Sequence, residues 1–103
     1  MKKIALLGTK GAYAEMVVDK IREAASAENY SCEIFALALA DLHKLKNSGA
    51  DLIMFSPPHF RGLKHVEEIC PAARIDMVGM KDYAFMNGKN IFRIIRWRLE
   101  NDG

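Results

Sequence analysis

The sequence has few of the features that mark secreted or membrane proteins. It has only two cysteines, Cys32 and Cys70, which are too few for a disulfide framework and are expected to be free thiols in a reducing compartment. No stretch approaches the roughly 18 apolar residues that a membrane-spanning helix needs. The basic start MKKIALLG leads into too short an apolar run for a signal peptide. We therefore expect a soluble, cytoplasmic protein without direct membrane insertion.

The charge balance is also weak. Charged residues make up 27% of the chain, yet the net charge is only +2, which does not favour nucleic acid as a partner. Basic residues do gather around Trp97 near the end of the sequence, but we interpret them as a solvated helix face. They are Lys89, Arg93, Arg96 and Arg98.

No metal or cofactor site is predicted. The three histidines, His43, His59 and His65, do not share a helical face, and no cysteine or acidic residue completes a recognisable ligand set with them. We interpret them as exposed histidines of predicted helices.

Hydrophobic residues make up half of the 103 residues, enough for one compact domain that spans residues 1–103. Apolar runs and helical spacings alternate along the chain. The predicted strands are 3–7, 31–37, 50–56 and 74–79, and the predicted helices are 12–28, 40–49, 59–70 and 88–100. Asp41 is a candidate helix cap, Gly62 softens the third helix, and residues 80–88 are predicted to form a loop. This strict alternation predicts an α/β fold with a parallel sheet and helices on both faces.

The first loop is a candidate phosphate-binding loop. A buried strand runs into two glycines, and a helix follows, so backbone N–H groups and the helix dipole can stabilise an anion. A purely structural turn explains the same pattern. The candidate loop comprises Gly8, Thr9, Lys10, Gly11, Ala12, Tyr13, Ala14 and Glu15.

Ligands of such sheets bind beyond the carboxyl ends of the strands. The segment after the third strand and the loop after the fourth are expected at the same edge as the first loop. Their candidate site-edge or partner-docking residues are Pro57, Pro58, His59 and Tyr83.

The length, the order of elements and several landmarks resemble the enzyme IIB subunit of the lactose/cellobiose-type bacterial sugar phosphotransferase system. That family begins with Lys-Lys-Ile and a short apolar strand, followed by a loop of the form Cys-Ser-x-Gly-Met-Ser-Thr-Ser. The resemblance covers essentially the whole chain. The matching landmarks are MKKIALL, Gly11, Val18, Lys20, Asp51 and Pro57 within GADLIMFSPPHF, Tyr83, and Asn87-Gly88.

The resemblance implies a four-stranded parallel sheet in the order 2-1-3-4. It also implies a role in sugar transport with two partners, enzyme IIA and the membrane enzyme IIC. In that family the loop cysteine takes a phosphoryl group from a histidine of enzyme IIA and passes it to a sugar bound by enzyme IIC. A thiolate at a helix N-terminus suits this step because the dipole lowers the thiol pKa.

This chain departs from the family at the reacting position. Gly8 stands where the family has its cysteine, and Ala12, Tyr13, Ala14 and Glu15 replace the hydroxyl-rich continuation. We therefore predict no catalytic residue, and neither Cys32 nor Cys70 is expected to replace the lost thiol.

Three outcomes follow from that departure. The chain can be a silent relative that still docks a phosphotransferase partner, a domain that binds an anion without transferring it, or a protein that uses Thr9 or Tyr13 as another acceptor. The third needs a general base, and none is evident nearby in the sequence. A non-catalytic regulatory or binding domain on the same fold is the alternative from a different functional class.

Overall fold

The strands form one parallel sheet in the predicted order. The computed structural model describes residues 1–8, 11–57 and 62–101. Within these residues the sheet has the order β2-β1-β3-β4, and each adjacent pair is parallel. The strands are β1 (Lys2–Gly8), β2 (Cys32–Ala38), β3 (Leu52–Phe55) and β4 (Arg74–Met77). This confirms the predicted fold class and strand order.

The helices differ from the prediction at three places. Gly62 does not soften the third predicted helix from within: it is the N-cap residue, with a left-handed φ of +82°, and the helix begins at Leu63. A short helix, α3, lies in the segment predicted to be a loop. Asp41 is not a cap, because the second helical segment begins two residues earlier, at Leu39, and Asp41 lies inside it at a kink. The helices are α1 (Ala12–Ala27), a 3-10 helix (Leu39–Asn47), α2 (Leu63–Ile69), α3 (Met80–Ala84) and α4 (Gly88–Glu100). Among the described residues, no helix combines the length and apolar character needed to cross a membrane.

The central strand β1 supplies side chains to a core on each face of the sheet. Ile4 and Leu6 join the core formed with α1 and α4, whereas Ala5 and Leu7 join a second core on the opposite face. Alternate side chains of a strand point to opposite faces, so a continuous apolar run requires cover on both sides. The predicted three-layer arrangement is therefore a direct consequence of the apolar sequence of β1.

Helices α1 and α4 pack closely on one face of the sheet. The buried side of α1 has the spacing of one helical face and consists of Ala14, Val17, Val18, Ile21, Ala24 and Ala25. At the start of α4, Gly88 lies against the backbone of α1, and a Cβ atom built on it would be 2.3 Å from the Lys20 carbonyl oxygen. A glycine is needed here because the two helix backbones approach closely. Backbone conformation is not the reason, because the φ of Gly88 lies outside the positive range that L side chains rarely adopt.

Two polar contacts link the ends of neighbouring elements. The Lys3 N–H donates to Asp51 Oδ2 at 2.8 Å, just before β3. The Arg74 guanidinium donates from Nη1 to the carbonyl oxygens of Arg98 and Leu99, at 2.8 and 3.0 Å. The second contact satisfies carbonyl groups in the last turn of α4, which have no partner within the helix.

Candidate functional site

The ends of β1 and β3 bring Gly8 and Ser56 side by side at the carboxyl edge of the sheet. In the register of the two strands, Leu7 lies opposite Phe55. The pairing continues for one residue, because the Ser56 N–H donates to the Leu7 carbonyl at 2.8 Å. The first candidate loop and the segment that contains Pro57 therefore leave the sheet next to each other.

The backbone of Gly8 leaves no room for a side chain. Its φ of +148° is a conformation that L residues rarely adopt. A Cβ atom built on Gly8 would lie 2.1 Å from Ser56 Oγ, far inside van der Waals contact. The Ser56 side chain is 1% exposed, and its hydroxyl donates to the Leu7 carbonyl at 3.3 Å.

The start of α1 faces this edge. Gly11 is the N-cap residue and gives no side-chain hydrogen bond to the first turn. The Glu15 N–H already donates to the Gly11 carbonyl at 3.0 Å, so the amides that remain for a ligand belong to the residues before it. Ala14 is buried and its methyl group cannot line a surface site. Glu15 puts a carboxylate in the first turn, where it competes with an incoming anion for the positive end of the dipole.

Tyr13 links the first turn of α1 to α3. Its hydroxyl lies 2.7 Å from the Tyr83 carbonyl oxygen and 2.6 Å from the Ala84 carbonyl oxygen, and its one proton is shared between them. The two tyrosine rings are 5.3 Å apart, centroid to centroid. This contact commits the Tyr13 hydroxyl to the backbone of α3.

Tyr83 is half-buried between Tyr13 and Ser56. Burial raises the pKa of its phenol, and the nearby Tyr13 raises it further, while hydrogen bonding with Ser56 lowers the pKa by a smaller amount. Its pKa is thus higher than the usual value of about 10, so Tyr83 is neutral at pH 7. Among the described residues, the partners of the Ser56 hydroxyl are a neutral phenol and a backbone carbonyl, and neither acts as a general base.

The two cysteines lie elsewhere. Cys32 begins β2 opposite Lys2, whereas Gly8 lies opposite Ala38, so the thiol and Gly8 are separated by about six residues, or roughly 20 Å of strand. Cys70 follows the C-terminus of α2 and donates to the Leu45 carbonyl at 3.4 Å. Burial raises the pKa of both thiols. Neither has the depressed pKa that a reactive thiolate requires.

The other predicted site residues are only partly within the described structure. Pro57 follows Ser56 directly and is partly buried. Tyr83 lies at the same edge, in α3 rather than in the predicted loop. Thr9, Lys10, Pro58 and His59 fall outside the described residues. In the segments that are described, no group of three or more His, Cys, Asp or Glu side chains is arranged to hold a metal ion.

Sequence reasoning missed Ser56. It ends the apolar run ADLIMFS, and the only sequence signal for a site residue was its polar side chain directly after a predicted buried strand. The pairing of β3 with β1 places it beside the end of β1.

Large exposed apolar side chains lie on the first turns of α1 and on the adjoining segment 80–85, which Tyr13 contacts. Met16, Met80 and Phe85 are 52%, 68% and 76% exposed. Phe85 directly follows Ala84, whose carbonyl contacts Tyr13, and Met16 lies one turn after Tyr13 along α1. We call Tyr13, Met16, Met80 and Phe85 the apolar rim of the site.

Comparison with solved structures identifies the class of fold. The chain is similar to the cellobiose-specific phosphotransferase IIB component protein from Borrelia burgdorferi, with a TM-score of 0.76, 25% identity, and coverage of 99% of this chain and 94% of that chain. It is also similar to the lactose-specific IIB component domain of the phosphoenolpyruvate:carbohydrate phosphotransferase system from Streptococcus pneumoniae, with a TM-score of 0.75 and 14% identity over 99% of this chain and 98% of that chain. No protein-family model matches the sequence, and no curated protein matches it. The chain therefore has the fold of lactose- and cellobiose-type enzyme IIB components.

Proposed function

We propose that this protein is an enzyme IIB-like cytoplasmic component of a cellobiose- or lactose-type sugar phosphotransferase system that docks its partners without carrying the phosphoryl group. The observation that carries the proposal is the whole-chain fold match, taken together with the sequence-based assignment of Gly8 to the position of the family cysteine. The fold supports the family role, and the glycine argues against covalent transfer.

The described residues at the site support the absence of a phosphoryl acceptor. Gly8 has no side chain, and the Tyr13 hydroxyl is bonded to two carbonyl oxygens. Ser56 has a hydroxyl at the right edge of the sheet, but it is 1% exposed and lacks a base among its partners. An acceptor must reach a phosphoryl donor and lose a proton to a base, and these groups fail one or both requirements.

The apolar rim supports docking. Exposed clusters of large apolar side chains mark interaction sites more often than a lone exposed residue does. A partner such as enzyme IIA would approach the carboxyl edge of the sheet, where Tyr13 joins the first turn of α1 to α3. The proposal assigns binding to this surface and leaves the chemistry to the partners.

A binding experiment tests the docking half of the proposal. The ¹⁵N-labelled protein is titrated with a cognate enzyme IIA, and we expect amide shifts at Met16 and Phe85. Phe85→Ser should weaken binding at least tenfold, which corresponds to about 1.4 kcal/mol. Trp97→Ser is the matched control, since Trp97 is 58% exposed and lies near the C-terminus of α4, whereas Phe85 precedes the N-terminus of that helix. Unchanged binding of Phe85→Ser, or equal loss in both variants, would contradict docking at the rim.

A non-catalytic regulatory or anion-binding domain is the second candidate. The open N-terminus of α1, capped by Gly11 without a side-chain bond, favours an anion. Titration with inorganic phosphate separates the two functions. Amide shifts confined to residues 11–14, with no response to enzyme IIA, would favour the second candidate over the first.

A further inference from the structure

The Ser56 hydroxyl fills the space in which a side chain on Gly8 would lie. The Ser56 hydroxyl oxygen lies 2.1 Å from the position of a Cβ atom on Gly8, and the next nearest atoms, Ser56 Cβ and N, are at 3.4 and 3.7 Å. Only the hydroxyl is therefore in conflict with a side chain, because the other distances are ordinary van der Waals contacts.

The hydroxyl cannot move away freely. It is 1% exposed, donates to the Leu7 carbonyl at 3.3 Å, and adjoins the half-buried Tyr83 phenol. The Ser56 N–H donates to the same Leu7 carbonyl, which fixes the Ser56 backbone against β1. A side chain at residue 8 must displace a buried polar group that is already hydrogen-bonded.

We propose that Ser56 excludes a side chain at residue 8: its hydroxyl occupies the place of that side chain, so that any side chain there, a thiol included, requires a second change at residue 56. The inference rests on the proposed function for its biological meaning, since it predicts that a single substitution at residue 8 does not recreate an acceptor. Its physical content is a steric coupling between two residues that are 48 positions apart in the chain.

The chain provides a matched control for the backbone strain. Gly11 has a φ of +142°, close to that of Gly8, but no atom of the described residues lies within 4 Å of a Cβ atom built on it. Gly11→Ala therefore measures the cost of the unusual φ without a steric clash, and Gly8→Ala measures both together. The difference between the two variants isolates the conflict with Ser56.

Thermal unfolding of the purified protein tests the coupling. We expect Gly8→Ala to lower the Tm by about 5 °C or more beyond Gly11→Ala. In the Ser56→Ala background the further effect of Gly8→Ala should shrink to that of Gly11→Ala, and Gly8→Cys should be rescued in the same way. If Gly8→Ala fails to fold while the double variant folds, the inference holds. Two unfolded variants, or effects that simply add, would overturn it.

Amide hydrogen exchange localises the effect. Exchange of the Ser56 N–H should be at least about tenfold faster in Gly8→Ala, because the clash separates the ends of β1 and β3, and the double variant should restore slow exchange. A uniform change across the sheet, or no change at Ser56, would overturn the inference. Both readouts use this protein alone, so their failure is distinct from any failure of the docking proposal.

Discussion

Replacing Gly88 by alanine tests the packing that holds α4 against α1. The added Cβ atom would lie 2.3 Å from the Lys20 carbonyl oxygen and 2.4 Å from its carbonyl carbon, whereas ordinary contact begins at 3.4 Å. The start of α4 must therefore move about 1 Å from α1, and the core between them contains Val17, Ile21 and Ile91. Both of these contact atoms belong to the backbone of Lys20, so rotation of a flexible side chain cannot relieve the conflict.

Overpacking of this kind costs about 1–3 kcal/mol, and backbone contacts favour the upper end. Alanine recovers up to about 1 kcal/mol because it restricts the unfolded chain and favours helix more than glycine does. The net loss is then about 2 kcal/mol, which lowers the Tm by roughly 8–16 °C for a domain of this size.

Gly79→Ala is the control for the same substitution without a clash. Gly79 has a φ of −60°, and a Cβ atom built on it would lie 3.7 Å from Asp82 Oδ2, an ordinary van der Waals distance. Its effect should stay within about 0.5 kcal/mol in thermal or urea unfolding followed by circular dichroism. If Gly88→Ala were as stable as Gly79→Ala, the close approach of α4 to α1 would not require glycine, and the reasoning would be refuted.

Three further predictions concern polar contacts and pH. Asp51→Ala should cost about 1–2 kcal/mol in urea unfolding, because the Lys3 N–H loses a carboxylate acceptor at 2.8 Å; unchanged stability would contradict that role. Arg74→Met should accelerate amide exchange in the last turn of α4 and leave its first turn unchanged, since the carbonyls of Arg98 and Leu99 lose a donor. Burial raises the pKa of Tyr83 and Cys32 in the folded state, so the unfolded chain loses these protons first. The contribution of these two groups to the free energy of unfolding should be fully present below about pH 8.5 and be lost as the pH rises through 9 and 10, with a smaller loss in Tyr83→Phe; an alkaline plateau in Tm would contradict this.

Much of the fold could be predicted because the signals are local. The buried residues of β1 form a continuous apolar run, and those of α1 recur at helical spacing. Both patterns are visible within a short stretch of sequence. The strand order came from the family resemblance and from the rules for parallel sheets. Helix α3 was missed because it has five residues, none of them buried, and no side-chain cap. The prediction of Asp41 as a helix cap was wrong because the helical segment begins earlier, at the apolar Leu39.

The site was less predictable because its contacts join distant parts of the chain. The sequence singled out Gly8 and Tyr83 separately, but the hydroxyl between them belongs to Ser56, which only the register of β1 and β3 reveals. Likewise, Tyr13 looked like a bulky obstacle in the loop, whereas its hydroxyl bonds to carbonyl groups 70 and 71 residues away. Periodicity carries no information about such pairs.

The most direct test of the account is whether the unaltered protein accepts a phosphoryl group. The purified protein is incubated with phosphoenolpyruvate, the general phosphotransferase proteins and a cognate enzyme IIA, and intact mass is followed over time. A cysteine-bearing IIB component serves as the positive control. We predict that the control gains a phosphoryl adduct and this protein gains none. An adduct on the unaltered protein, mapped by peptide mass to Ser56, Tyr13 or any other residue, would contradict the claim that the site has no acceptor.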